Sequence, residues 1–245
     1  MMKNDRSYQL QLVSPGLESD VLNNYGHEPT LGLPNVKNIS SKGFIKRLKL
    51  SDGRTMEVNR FACVGQGDQV IGPSSGALSV RTKDGDIAIV PEYTSTVEIE
   101  VVHGKTLFLQ THEVNSQSLY EAYEALSQYH YRSENSFGRR AILLLTCRHL
   151  DFPSVLGFIE ITTAFMNSKN RSDLFNAPFE AEPERNVKWV KWDKETRNEY
   201  IHTIARISRM VVHPEVRGIG LSRILIKEAE KFCKERWHVH GRKAL

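Results

Sequence analysis

The sequence predicts an α/β protein, strands layered with helix, preceded by a small antiparallel β-rich module. Three observations carry that expectation. From residue 106 onward the apolar patterning runs strand, helix, strand, strand, insertion, strand, helix, which is an α/β layer order. Residues 36–104 instead hold short alternating segments punctuated by turn residues, the mark of a small antiparallel sheet or barrel. Near the C-terminal end an apolar strand runs into His213-Pro214, a glycine-bearing turn and an amphipathic helix.

At 245 residues the chain accommodates one large domain or two small ones. Its apolar share, 40%, is enough for a core. The apolar runs Ala141–Thr146 and Met210–Val212 are too short to span a bilayer. Met1–Arg6 leads into polar sequence with no apolar signal region. Cys63, Cys147 and Cys233 are far apart and odd in number, which fits a reducing, cytoplasmic setting. A net charge of +4 permits an anionic partner without demanding one.

Residues 1–35 read as a polar, irregular arm, with an edge strand open at Tyr8–Val13. In the β-rich module, 36–104, Gly43–Leu50 alternates and Ser51-Asp52-Gly53-Arg54 signals a tight hairpin. Met56–Val64 is the expected return strand, followed by strands at Ala77–Thr82, Asp86–Val90 and Thr96–Val102. The third region, 105–245, opens with a strand at Thr106–Gln110. Leu119, Tyr123, Leu126 and His130 then recur at helical spacing, with Asn115 or Ser116 as cap. Ala141–Thr146 and Val155–Thr162 are expected as buried strands, and 165–200 as a long charged insertion. Strand Ile204–Val212 precedes a helix from about Ile219 to Arg236, whose stripe is Leu221, Ile224, Leu225, Ala229 and Phe232.

The richest chemistry lies in Val211-Val212-His213-Pro214-Glu215-Val216-Arg217-Gly218-Ile219-Gly220. Proline ends strand pairing because it lacks an N–H. Gly218 and Gly220 let the backbone turn and approach a ligand closely. The N–H groups of Gly218 through Ser222 are then left unpaired at a helix N-terminus, whose dipole favours a pyrophosphate. Gly72–Ser79 lacks the lysine and glycine spacing of a phosphate loop and reads as a turn. His238-x-His240 and Cys147-x-His149 each lack a second pair at ligand spacing, so no metal is expected.

This segment resembles the acyl-CoA-binding motif of the GNAT superfamily of N-acetyltransferases, Arg/Gln-x-x-Gly-x-Gly/Ala. Arg217, Gly220 and Ser222 match it, with serine at the last small position. The resemblance covers roughly residues 105–245. It implies a GNAT-like mixed sheet with helices on both faces, Val155–Thr162 as third strand and Ile204–Val212 as fourth. It also implies acetyl-CoA or another acyl-CoA as cofactor. The backbone of Met210, Val211 and Val212 would hold the pantetheine arm, and Arg217, Gly218, Ile219, Gly220, Leu221 and Ser222 the pyrophosphate. The family continues into a fifth strand and a further helix, which the sequence ending at Leu245 lacks. A fragment, a partner subunit completing the sheet, a lost activity, or substitution by the N-terminal β-region would each account for that. Tyr129–Ser133, the insertion and Ser208-Arg209-Met210 are similar to a narrower branch. It holds the phage Mom-type DNA-modification proteins, which modify the exocyclic amine of adenine, and acyltransferase-like domains linked to ATPases. Arg209 and Ser222 match positions important in that branch.

Amine acylation needs a group to take a proton from the attacking nitrogen. Glu160, on a central strand, is the candidate base, the alternative being an exposed edge residue. Tyr131, with His130 beside it, is a candidate acid/base or stacking group, or else helix-end packing. Arg209 is a candidate substrate contact, or one half of a structural ion pair. Strand alternation places Ser208 and Arg209 on opposite faces. Lys188, Trp189, Lys191 and Trp192 interleave cations with stacking surfaces and, with Arg132, would suit a nucleic acid, DNA ahead of RNA. An amphipathic strand with buried tryptophans is the competing reading. The expected function is acyl transfer from acyl-CoA to an amine, with a nucleic-acid base among the acceptors. The alternative is a non-catalytic binding subunit of a larger nucleic-acid-modifying or anti-phage assembly. No membrane partner is expected.

Overall fold

Short alternating segments followed by turn residues fold here into two three-stranded antiparallel meanders. The computed structural model describes residues 32–72, 78–83, 85–101, 104–130, 139–165, 180–182, 187–188, 201–239 and 241–244. The first meander is β1 (Val36–Lys42), β2 (Ile45–Leu50) and β3 (Thr55–Asn59), with the predicted Ser51–Arg54 turn linking β2 to β3. The second is β4 (Gln69–Ile71), β5 (Ser79–Thr82) and β6 (Gly85–Ala88). An Asn35–Gln69 bridge joins them, and Val36, Leu48, Leu50, Val70, Val80 and Ile89 form their shared core. The return strand is shorter than expected: β3 stops at Asn59, whose side-chain oxygen accepts from the Phe61 N–H and turns the chain.

The main sheet has five strands in the order β13-β10-β9-β8-β7, where β7 is Thr94–Val101, β8 Lys105–Glu113, β9 Arg140–Cys147, β10 Val155–Thr163 and β13 Ala205–Val212. Every pairing is antiparallel, where a mixed sheet was expected. Each strand enters from the end its predecessor left, so no parallel crossover is needed. The hairpin β7–β8 straddles the expected boundary at 104/105: the sheet begins at Thr94, inside the stretch assigned by sequence to the β-rich module. Leu33–Leu245 is one compact unit.

Period-two alternation gives the sheet two apolar faces. Leu107, Leu109, Leu143, Leu145, Ile159 and Ile161 face α2 (Leu221–Arg236), which inserts Leu221, Leu225, Ala229 and Phe232. Ile142, Leu144, Phe158 and Val211 face α1 (Gln117–Ser127), which inserts Tyr123 and Leu126. Ser116 caps α1 by accepting from the Leu119 N–H. Gly157 is required where β10, β13 and α2 meet, because a Cβ there would lie 2.6 Å from the Val211 carbonyl oxygen and 3.2 Å from Leu225 Cδ1. Two small ladders complete the described strands: β11 (Glu180–Glu182) with β12 (Val187–Lys188), and β14 (His238–Val239) with β15 (Arg242–Lys243). No described helix is long and apolar enough to cross a membrane.

Candidate functional site

The glycine corner forms where the motif placed it. β13 ends at Val212, and Pro214–Val216 makes one 3-10 turn. Gly218 and Gly220 then take φ of 90° and 86°, the left-handed region that favours glycine. That geometry delays α2 to Leu221, two residues after the expected start. Gly220 is its N-cap and offers no side-chain oxygen to the first turn. Among the described residues, no hydrogen bond satisfies the N–H groups of Gly218, Ile219, Gly220, Leu221 or Ser222. The corner is also open: a Cβ on either glycine would meet nothing within 4 Å. Arg217 is exposed, and its Nε donates to the Val212 carbonyl at 3.3 Å.

β13 lies at the edge of its sheet. The His213 N–H donates to the Leu156 carbonyl at 2.8 Å. Antiparallel alternation therefore turns the N–H and C=O of Val211 toward β10 and those of Met210 and Val212 outward. Of the three residues expected to hold an extended ligand arm, Met210 and Val212 present their backbone groups outward, away from β10. An apolar groove of about 280 Å³, lined by Ile207, Ile226 and Ala229 among others, lies between this strand and α2.

On the opposite face of the sheet lies a buried polar cluster around Glu160, whose side chain is wholly inaccessible. Tyr123 Oη donates to Glu160 Oε2 at 2.8 Å, and an Arg140 guanidinium nitrogen lies 2.8 Å from the same oxygen. Ser208 Oγ donates to Oε1 at 2.7 Å. Arg140 also covers the Tyr123 ring, with its Cζ 5.0 Å from the centroid. Burial raises the Tyr123 phenol to about 12, against the nearby Arg140 and Arg209 charges that favour its ionised form. Burial works to lower Arg140, but the Glu160 carboxylate and the tyrosines outweigh it and hold the guanidinium above its ordinary value. Glu160 is thus a central buried residue, not an exposed edge residue.

The strand alternation expected at Ser208 and Arg209 does not hold. Glu160 pairs with Arg209 and Ile161 with Ile207, so Ser208 is the extra residue of a β-bulge. The bulge brings the Ser208 hydroxyl to Glu160 and sets Arg209 opposite it, close enough for the Arg209 charge to act on Tyr123.

Tyr129, in the turn after α1, meets the His213 ring edge-on at 6.0 Å, which brings that end of the helix to the glycine corner. Tyr131, Arg132, Trp189, Lys191 and Trp192 lie outside the described residues, as does Tyr8–Val13. Lys188 pairs with Glu180 in the β11–β12 ladder. Sequence reasoning missed Arg140 as a partner of Glu160 and read Tyr123 only as part of a helical stripe. A cation heading an otherwise apolar strand was the available signal. All three cysteines are free thiols, and among the described residues no three His, Cys, Asp or Glu side chains gather as a metal site.

No protein-family model matches the chain, and comparison with curated proteins and with solved structures finds no match.

Proposed function

We propose that the chain is an acyl-CoA-dependent N-acyltransferase of GNAT-like design. One observation carries the reading: among the described residues, five backbone N–H groups without a partner crown the N-terminus of α2, beside an open glycine corner that continues into an edge strand. The residues present fit a pyrophosphate-bearing carrier, since free amides and a helix dipole suit such an anion. Acetyl-CoA or another acyl-CoA, when bound, supplies an activated thioester. The outward N–H groups of Met210 and Val212 are placed to hold its extended arm, and Arg217 stands exposed beside the phosphate position.

The protein's own part is to orient an acceptor amine and remove its proton. Both oxygens of Glu160 already accept hydrogen bonds, so the proton reaches it through one of its donors. Ser208, on the edge strand and partly exposed, is that donor. Its hydroxyl accepts the ammonium proton while passing its own to Glu160, leaving a neutral acid and a free amine. Arg209 lies beside this point as the contact for an anionic acceptor, a nucleic-acid base with its phosphate included.

The test is calorimetry with acetyl-CoA and free CoA on the wild type and on Ser222→Glu. A glutamate in the first turn favours the helix but repels pyrophosphate, so the variant folds and loses binding. No binding by the wild type, or equal binding by both, defeats the proposal. A second reading, a non-catalytic acyl-CoA-binding subunit, is favoured by the full engagement of Glu160. It requires binding without turnover on any amine or nucleic-acid acceptor.

A further inference from the structure

A cavity of about 640 Å³ lies away from the glycine corner, where β2, the segment after β3, α1 and the start of β9 converge. Four cations line it: Lys46, Arg60, Arg139 and Arg140. Arg140 is paired with Glu160. The other three have no carboxylate partner among the described residues; Lys46 donates to the Ala62 carbonyl at 2.7 Å, and Arg139 donates to the His238 carbonyl.

The two acids of the lining, Asp68 and Glu113, each hold other partners besides acting at longer range on Lys46 and Arg139. Asp68 accepts from the Gly65 N–H at 2.7 Å and faces His238. Glu113 accepts from the Cys63 thiol at 3.2 Å and lies 3.4 Å from Arg236. Burial lowers Lys46 to about 8, the response of an ammonium held away from water. The same cavity presents an aromatic wall, Phe61 against Tyr120 with centroids 5.6 Å apart, and the Arg60 guanidinium lies 5.5 Å from the Tyr120 centroid.

The geometry points to a second ligand site here, for a phosphorylated compound carrying an aromatic ring, of mononucleotide size. Guanidinium forks and an ammonium suit phosphate oxygens. A tilted aromatic pair offers a stacking face for a planar ring. The volume falls within the roughly 300–1,000 Å³ typical of small-ligand sites. The site stands independently of acyl transfer: its residues are not those of the glycine corner. It adjoins the proposed reaction through Arg140, which lines the cavity and holds Glu160.

The experiment is calorimetry on the full chain with AMP, GMP, CMP and UMP, and with adenosine and inorganic phosphate as partial ligands. At least one nucleotide is expected to bind more tightly than either partial ligand. Arg60→Gln, at an exposed position, and Lys46→Met each weaken it roughly tenfold, the loss of one charge-assisted contact. Ser222→Glu leaves it unchanged, which separates this site from the coenzyme corner. The proposal is overturned by any of four results. These are no binding of any nucleotide, phosphate binding as tightly as the nucleotides, Arg60→Gln folded with unaltered affinity, or loss of nucleotide binding in Ser222→Glu.

Discussion

Arg140 and Glu160 meet at 2.8 Å across neighbouring strands, one side chain a third exposed and the other wholly buried. The asymmetry sets which partner is costlier to remove. Arg140→Met takes the paired guanidinium from a buried carboxylate, a loss of about 3–5 kcal/mol when a buried pair is broken from one side. Glu160→Gln leaves a cation that water already reaches, and the expected loss is smaller. Urea unfolding of the two variants at neutral pH checks the order.

Ser208→Ala removes a hydroxyl donor from a charged acceptor. The expected destabilisation is about 1.5–3 kcal/mol. Acetyl-CoA affinity should be preserved, because Ser208 faces Glu160 and not the glycine corner. On the acyltransfer reading kcat falls while coenzyme Kd does not move. A parallel loss of both would remove Ser208 from the proton path.

Gly157→Ala forces a Cβ to within 2.6 Å of the Val211 carbonyl, so β13 has to move away from β10. Overpacking of this kind costs about 1–3 kcal/mol. Because β13 leads into the glycine corner, coenzyme binding should weaken along with the thermal midpoint. An unchanged midpoint would mean that the strands tolerate the wider spacing.

His238 gives an acid limb. Burial, with Arg139 and Arg236 adding positive charge, lowers its pKa to about 2. The Cys63 carbonyl, 3.1 Å from Nε2, pulls the other way, but burial prevails. The unfolded chain therefore binds a proton at this site as pH falls below about 6.5, while the native protein does not. The stability this residue contributes is full above that pH and is lost progressively down to about 2. Relative to His238→Gln, the wild type should lose roughly 1.4 kcal/mol per pH unit on the acid side. Parallel pH profiles of the two proteins would show the imidazole to be uninvolved.

Local chemistry was legible in the sequence, and convergence across the chain was not. The glycine corner, the Ser51–Arg54 turn and the apolar stripe of α2 depend on neighbours within a few residues, and all three form. β1 was missed because Val-Lys-Asn-Ile-Ser-Ser-Lys does not alternate, and its pairing with β2 supplies the order that its side chains do not. The bulge at Ser208 reverses the simple alternation rule, and only the register against β10 reveals it. The partners of Glu160 come from a helix and two strands, and no spacing announces them. Glu160 itself was legible as the carboxylate of an otherwise apolar strand expected at the centre of the sheet, Val155–Thr162.

β10 sends Ile159 toward α2 and Glu160 toward α1, so the sheet stands as a partition one backbone thick. Whatever docks on the helix cap and whatever meets the buried acid approach from opposite sides. At β13, the edge strand that leads into the helix cap and carries Ser208, they can touch by reaching around the rim. On the acyltransfer reading, reactivity is thereby confined to a single outer ribbon of the protein, and a molecule lodged deeper on either side is shielded from the other.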